Sequence, residues 1–125
     1  MGKFSRDKGA RAERMWRDVC RAEGYDAERG CQMYDLGSEI ADVIGLPGIH
    51  VEVKMVERLN VRDAMAQSVA DAEAEGAGNI PIVAHKKSRR PWLVTMRAED
   101  WFKLYREWDS DNDEDSPWDL PGRDD

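Results

Sequence analysis

Residues 49–56, Ile-His-Val-Glu-Val-Lys-Met-Val, alternate at period two. Successive side chains of a strand leave opposite faces, so this run reads as a strand. Ile49, Val51, Val53 and Met55 take one face, and His50, Glu52, Lys54 and Val56 take the other. Pro47-Gly48 in front of it is a turn signal, and residues 40–46 read as a short strand on the far side of that turn. The segment is expected to close as an antiparallel hairpin. A chain built on such a hairpin needs a larger sheet, and the sheet needs covering layers.

The rest of the pattern supplies both. Residues 6–24 read as a helix with Ala12, Met15, Trp16, Val19, Cys20 and Ala22 on one stripe and Gly24 as the stop. Residues 26–34 read as a strand and 35–39 as a loop. Asn60 is a good N-cap for an Ala-rich helix over residues 61–76, with Val61, Met65, Val69 and Ala72 as its apolar side. Residues 79–87 and 92–97 read as two strands joined by the basic turn Lys86-Lys87-Ser88-Arg89-Arg90. Residues 98–108 form a last helix, and its Trp101, Leu104, Tyr105 and Trp108 are expected to plug the core. This order suits an α/β fold: a mixed five-stranded sheet flanked by helices, with the 61–76 helix as a crossover.

With 125 residues, 41 % of them hydrophobic, there is material for one modest core. No run approaches the roughly eighteen apolar residues of a membrane span, and the charged N-terminus lacks the apolar segment of a signal peptide. Cys20 and Cys31 are too few for a disulfide scaffold, and with His50 and His85 they do not have the spacing of a structural zinc site. No glycine-rich phosphate loop is present, so no nucleotide cofactor is expected. The reading is a soluble cytoplasmic domain.

The net charge of -7 is unevenly placed. Residues 107–125 hold nine acids against one base, a net of -8, which leaves the body at +1. The domain is expected to span residues 1–108, followed by an acidic, disordered tail over 109–125 that either mimics the charge of DNA or keeps the chain soluble. An acidic pI argues against nucleic acid for the chain as a whole, but not for a near-neutral body with clustered bases. Two clusters exist. The first 29 residues hold eight bases, among them Lys8, Arg11 and Arg14, interleaved with six acids. The second, Lys86, Lys87, Arg89 and Arg90, contains no acid. Either fits backbone phosphates, and either also fits an ordinary solvated surface.

The chemistry concentrates in residues 41–54. Glu52 and Lys54 leave the same strand face, flanked by aliphatic neighbours. The turn folds Asp42 back toward Glu52. Two carboxylates held close repel unless a cation stands between them, and oxygen ligands with room for water favour Mg²⁺, with Mn²⁺ as a substitute. The Lys54 ammonium beside them can hold a water or meet charge building on a phosphate. Glu13 borders the apolar stripe of the first helix, so its carboxylate can face the sheet. A surface hairpin with an ordinary Glu/Lys pair is the competing account. His50 shares the Glu52 face and reads as a partly exposed sheet histidine; His85 precedes the basic turn and can reach a DNA phosphate.

The helix with Glu13, then Asp42, then Glu52-Val53-Lys54, then a helix with Gln67, resembles the PD-(D/E)XK nuclease superfamily. Within it, the likeness is to Holliday junction resolvases of the archaeal type and their phage relatives, and it covers roughly residues 8–105. The resemblance implies a restriction-endonuclease-like fold and a Mg²⁺-dependent endodeoxyribonuclease acting on branched DNA in the cytoplasm of a bacterial or phage-infected cell. Asp42 and Glu52 would ligate the metal, joined by the Val53 carbonyl. Lys54 would position the water, Glu13 would complete the site, and Gln67 would touch the site or a phosphate. Ser38 would match a serine that some resolvases use. Two symmetric nicks in a four-way junction imply a C₂ homodimer. Ala41 stands where the motif carries proline. A restriction- or repair-like nuclease, or a non-catalytic DNA-binding module, are the other readings.

Overall fold

The computed structural model describes residues 3–30 and 41–111, with the backbone alone for residues 3–6. The elements run α1 (Lys3–Ala22), β1 (Glu28–Arg29), β2 (Val43–Ile44), β3 (Ile49–Met55), α2 (Val61–Glu75), β4 (Ile80–Lys86), β5 (Leu93–Met96) and α3 (Ala98–Asp111). The five strands form one sheet in the order β1-β2-β3-β4-β5. All neighbours are antiparallel except β3 and β4, which run parallel because α2 carries the chain across between them. The mixed five-stranded α/β sheet expected from the pattern is the one observed.

The alternation of β3 assigns its two faces. Val51 and Val53 join Ala12, Trp16 and Cys20 of α1 in the apolar core, together with Val43, Ile82 and Ala84. His50 and Glu52 face the other way and meet α2. The Asn60 side chain caps α2 by accepting from the Asp63 N–H, and Gly76 ends the helix in the left-handed region at φ 73°. Of the Val61, Met65, Val69 and Ala72 stripe read from the sequence only Ala72 is buried; the other buried residues on the packed side of α2 are Ala64 and Ser68. The small residues let the helix sit close, and the Ser68 hydroxyl donates to the Ile82 carbonyl at 2.9 Å. Val61 is exposed.

Other departures have local causes. The strand expected over residues 40–46 narrows to Val43–Ile44, because Gly45 at φ 114° turns the chain out of the ladder. A Cβ on Gly45 would lie 2.5 Å from the Asp26 carbonyl oxygen and 2.6 Å from the Ala27 Cα. Gly45→Ala is therefore expected to cost about 2 kcal/mol or more in urea unfolding; an unchanged midpoint would show that the close approach is not real. His50, expected to be partly exposed, is fully buried. Ala22 is exposed, outside the α1 stripe. Ser38, Cys31 and the loop at 35–39 lie outside the described residues, as does the tail from residue 112; α3 itself runs to Asp111.

The last helix reverses its expectation. Trp101, Phe102, Leu104, Tyr105 and Trp108 are each between 37 % and 49 % exposed, and the buried residue of α3 is Asp100. Asp100 is held by Arg97 at 2.8 Å and Lys103 at 3.4 Å. The core is instead closed by Trp16 and Trp92, whose rings lie 5.1 Å apart. The α3 aromatics contact each other along the helix: Trp101 stacks on Tyr105, meets Phe102 edge-on, and Tyr105 meets Trp108 at a tilt.

Candidate active site

The β2–β3 ladder opens at Asp42. Its N–H still donates to the Val51 carbonyl at 2.8 Å. The following N–H of β3 on that edge, Val53, donates to the Asp42 carboxylate at 2.8 Å instead of to a backbone carbonyl. A side chain thus replaces a ladder bond, and a cleft opens where the strands part. Its volume is about 470 Å³, and Lys8, Glu13, Asp42, Glu52, Val53, Lys54 and Gln67 line it. Four elements contribute: α1 brings Lys8 and Glu13, the segment leading into β2 brings Asp42, β3 brings Glu52 to Lys54, and α2 brings Gln67. Gln67 is exposed on its helix and lines the cleft.

Three carboxylates share this space, and each is pushed upward in pKa. Burial raises Asp42, against the Val53 N–H, a hydrogen bond with Glu52 and the nearby Lys54 charge, which favour its ionised form. Burial raises Glu52 to about 7; His50 opposes the shift, while the charges of Asp42 and Asp71 add to it. Burial and the Asp42 charge raise Glu13, against Arg29. The Arg29 guanidinium holds Glu13 at 3.1 Å through both Nε and Nη2. Acids kept out of water beside one another favour a bound proton or a bound cation. An all-oxygen set of this kind fits Mg²⁺ or Mn²⁺.

The other expected contacts divide. Arg11 and Arg14 are exposed on α1 and, unlike Lys8, do not line the cleft. Lys86, Lys87 and Arg90 line a second concavity of about 600 Å³ with Arg58. Val56 borders both hollows, so the basic turn lies next to the acidic cleft. The Ser88 N–H donates to Glu57 at 2.9 Å and pins the turn to the chain beyond β3. Arg89 is exposed at the turn with φ 60°. His85 lies 2.9 Å from the Thr95 hydroxyl.

Sequence reasoning missed Arg29, Asp71 and Glu75. Asp71 follows Gln67 by four residues on α2, one turn along the same face, and that spacing was the available signal. The strand carrying Arg29 is only two residues long, so no periodicity pointed to it.

No family model and no curated protein matches the chain. Among solved structures, it is similar to Hjc, a Holliday junction resolvase from the archaeal hyperthermophile Archaeoglobus fulgidus. The two share 28 % identity with a TM-score of 0.53, covering 71 % of this chain and 72 % of that one. In its mixed five-stranded α/β fold the chain resembles the Holliday junction resolvases of the PD-(D/E)XK nuclease superfamily.

Proposed function

We propose that this protein is a Mg²⁺-dependent endodeoxyribonuclease that acts on branched DNA as a Holliday junction resolvase. The observation that carries this reading is the gathering of Glu13, Asp42, Glu52, Lys54 and Gln67, from three helices or strands and one loop edge, around one cleft. Asp42 and Glu52 would hold the metal with the Val53 carbonyl, and Glu13 would complete the site. Mg²⁺ bound there supplies Lewis-acid stabilisation of the charge that builds on the scissile phosphate.

The chain's own residues do the rest. Arg29 fixes the Glu13 carboxylate, and the Val53 N–H fixes that of Asp42, so neither has to reorganise during the reaction. The Lys54 ammonium orients the attacking water and meets negative charge on the phosphate. Gln67 donates to a phosphate oxygen from the helix opposite. Lys86, Lys87, Arg89 and Arg90 track the DNA backbone beside the cleft, with Lys8, Arg11 and Arg14 on the α1 side. Such contacts position DNA without reading its sequence, as a structure-selective nuclease requires.

Two coordinated nicks need two sites. The exposed Trp101, Leu104, Tyr105 and Trp108, which share one side of α3, are an apolar stripe suited to a C₂ homodimer in the cytoplasm. The test is Mg²⁺-dependent cleavage of a labelled four-way junction beside linear duplex, flap and fork. Paired symmetric nicks in the junction alone are expected. Equal cutting of every substrate removes the junction assignment and leaves a general nuclease. No cutting of any DNA with Mg²⁺ or Mn²⁺ leaves a non-catalytic DNA-binding module.

A further inference from the structure

On the α2 side of β3 lies a polar group that the cleft chemistry leaves unused. His50 is fully buried, its Nδ1 3.1 Å from a Glu75 oxygen and its Nε2 3.4 Å from a Glu52 oxygen. A carboxylate only accepts, so Nδ1 carries a proton for Glu75, while Nε2 either carries a second proton for Glu52 or presents its lone pair to a cation. That side of the ring meets two more carboxylates: one ligand atom each from His50, Glu52 and Asp71 lie within 4.8 Å of one another. No described residue donates a hydrogen bond to Nε2. An imidazole nitrogen and two carboxylates gathered this closely need an electropositive occupant, either a proton or a cation.

The arrangement matches a metal ligand set. A carboxylate on Nδ1 fixes the tautomer and ring direction of a ligating histidine and raises the basicity of Nε2. Opposed donors around a transition-metal ion stand about 4.2 Å apart, and these three ligand atoms, none more than 4.8 Å from another, are already spaced close to that. We propose that His50, Glu52 and Asp71 form a second divalent-cation site, oriented by Glu75 and sharing Glu52 with the Asp42 centre. Its mixed nitrogen and oxygen donors favour Mn²⁺ or Zn²⁺ over Mg²⁺, whereas the all-oxygen Asp42 centre does not discriminate in that way.

The test counts ions on the full chain. Free Mn²⁺ measured by electron paramagnetic resonance should show two ions bound per chain, falling to one in Asp71→Asn and to one in Asp42→Asn. The imidazole reports independently. The chain has two histidines, and Zn²⁺ should move the ¹⁵N signal of His50 Nε2 while His85, which bonds Thr95, stays in place. The His50 shift should disappear in Asp71→Asn. A single Mn²⁺ in the wild type, or a His50 signal that Zn²⁺ does not move, overturns the site and assigns the position to a proton. The sharing of Glu52 rests on the nuclease reading, yet the two fail separately. Junction cleavage with one bound ion defeats only the second site, and two bound ions without cleavage defeat only the nuclease.

Discussion

Glu52→Gln should lower junction cleavage by roughly 10²–10³-fold or more while DNA binding stays close to wild type. Glu52 is the residue at which the surrounding groups meet. It hydrogen-bonds Asp42 on one side and His50 on the other, and it feels the charge of Asp71. Glutamine keeps the shape and removes the charge, so a cation loses an anionic ligand while the packing is preserved. Asp42→Asn should behave alike, because its carboxylate is anchored by the Val53 N–H and cannot be replaced by a shift of the strand. Lys54→Ala should lose cleavage without losing the metal. Single-turnover cleavage and band-shift binding, measured on the same preparations, separate these effects. Full activity in Glu52→Gln would remove the proposed site.

The metal-free protein should become more stable as the pH is lowered from 8 to 5. The sign follows from proton counting. Glu52 has its folded pKa raised from 4.5 to about 7, so between those values the folded state holds a proton that the unfolded chain has released. Stability therefore falls as pH rises through that window, by about 2 kcal/mol from Glu52 alone. Asp42 and Glu13 are raised too and act in the same direction. His50 is raised as well: burial lowers it, but its bonds to Glu52 and Glu75 outweigh that. Its share is fully present below its unfolded pKa of 6.5 and is lost as pH rises through the folded value. The pair adds in sign. Thermal midpoints in chelator should thus decline from pH 5 to pH 8, and Glu52→Gln should flatten the slope and raise the midpoint at pH 8. Mn²⁺ should restore stability most at pH 8, by about 2.7 kcal/mol at a hundredfold excess over its dissociation constant. A wild-type midpoint that climbs with pH would show that these carboxylates are not held together.

The contrast between β3 and α3 shows how far a linear pattern reaches. Period two in residues 49–56 carried the strand, its faces and the turn before it, because alternation is a property of the backbone alone. The N-cap at Asn60 and the stop at Gly76 were legible for the same reason: both answer the unsatisfied groups at a helix end. The stripe on α3 was equally regular, yet its aromatics lie on the surface. Periodicity says that a helix has an apolar side and is silent on what covers it. On α2 the stripe held at Ala72 and failed at its larger members, since close packing selected Ala64 and Ser68 over Val61, Met65 and Val69.

The site divides in the same manner. The order of Glu13, Asp42, Glu52, Lys54 and Gln67 along the chain was enough to suggest the chemistry, and local geometry placed Glu52 and Lys54 on one face. Arg29 against Glu13, Asp71 against Glu52 and Glu75 against His50 are separated by 16, 19 and 25 residues. No local rule links positions so far apart. The amino-acid order alone decided which groups are present and on which side of each element they stand. Only the folded sheet, by parting β2 from β3 and laying α2 across β3, decided which of those groups share a water-poor space, and sharing it is what shifts their proton affinities.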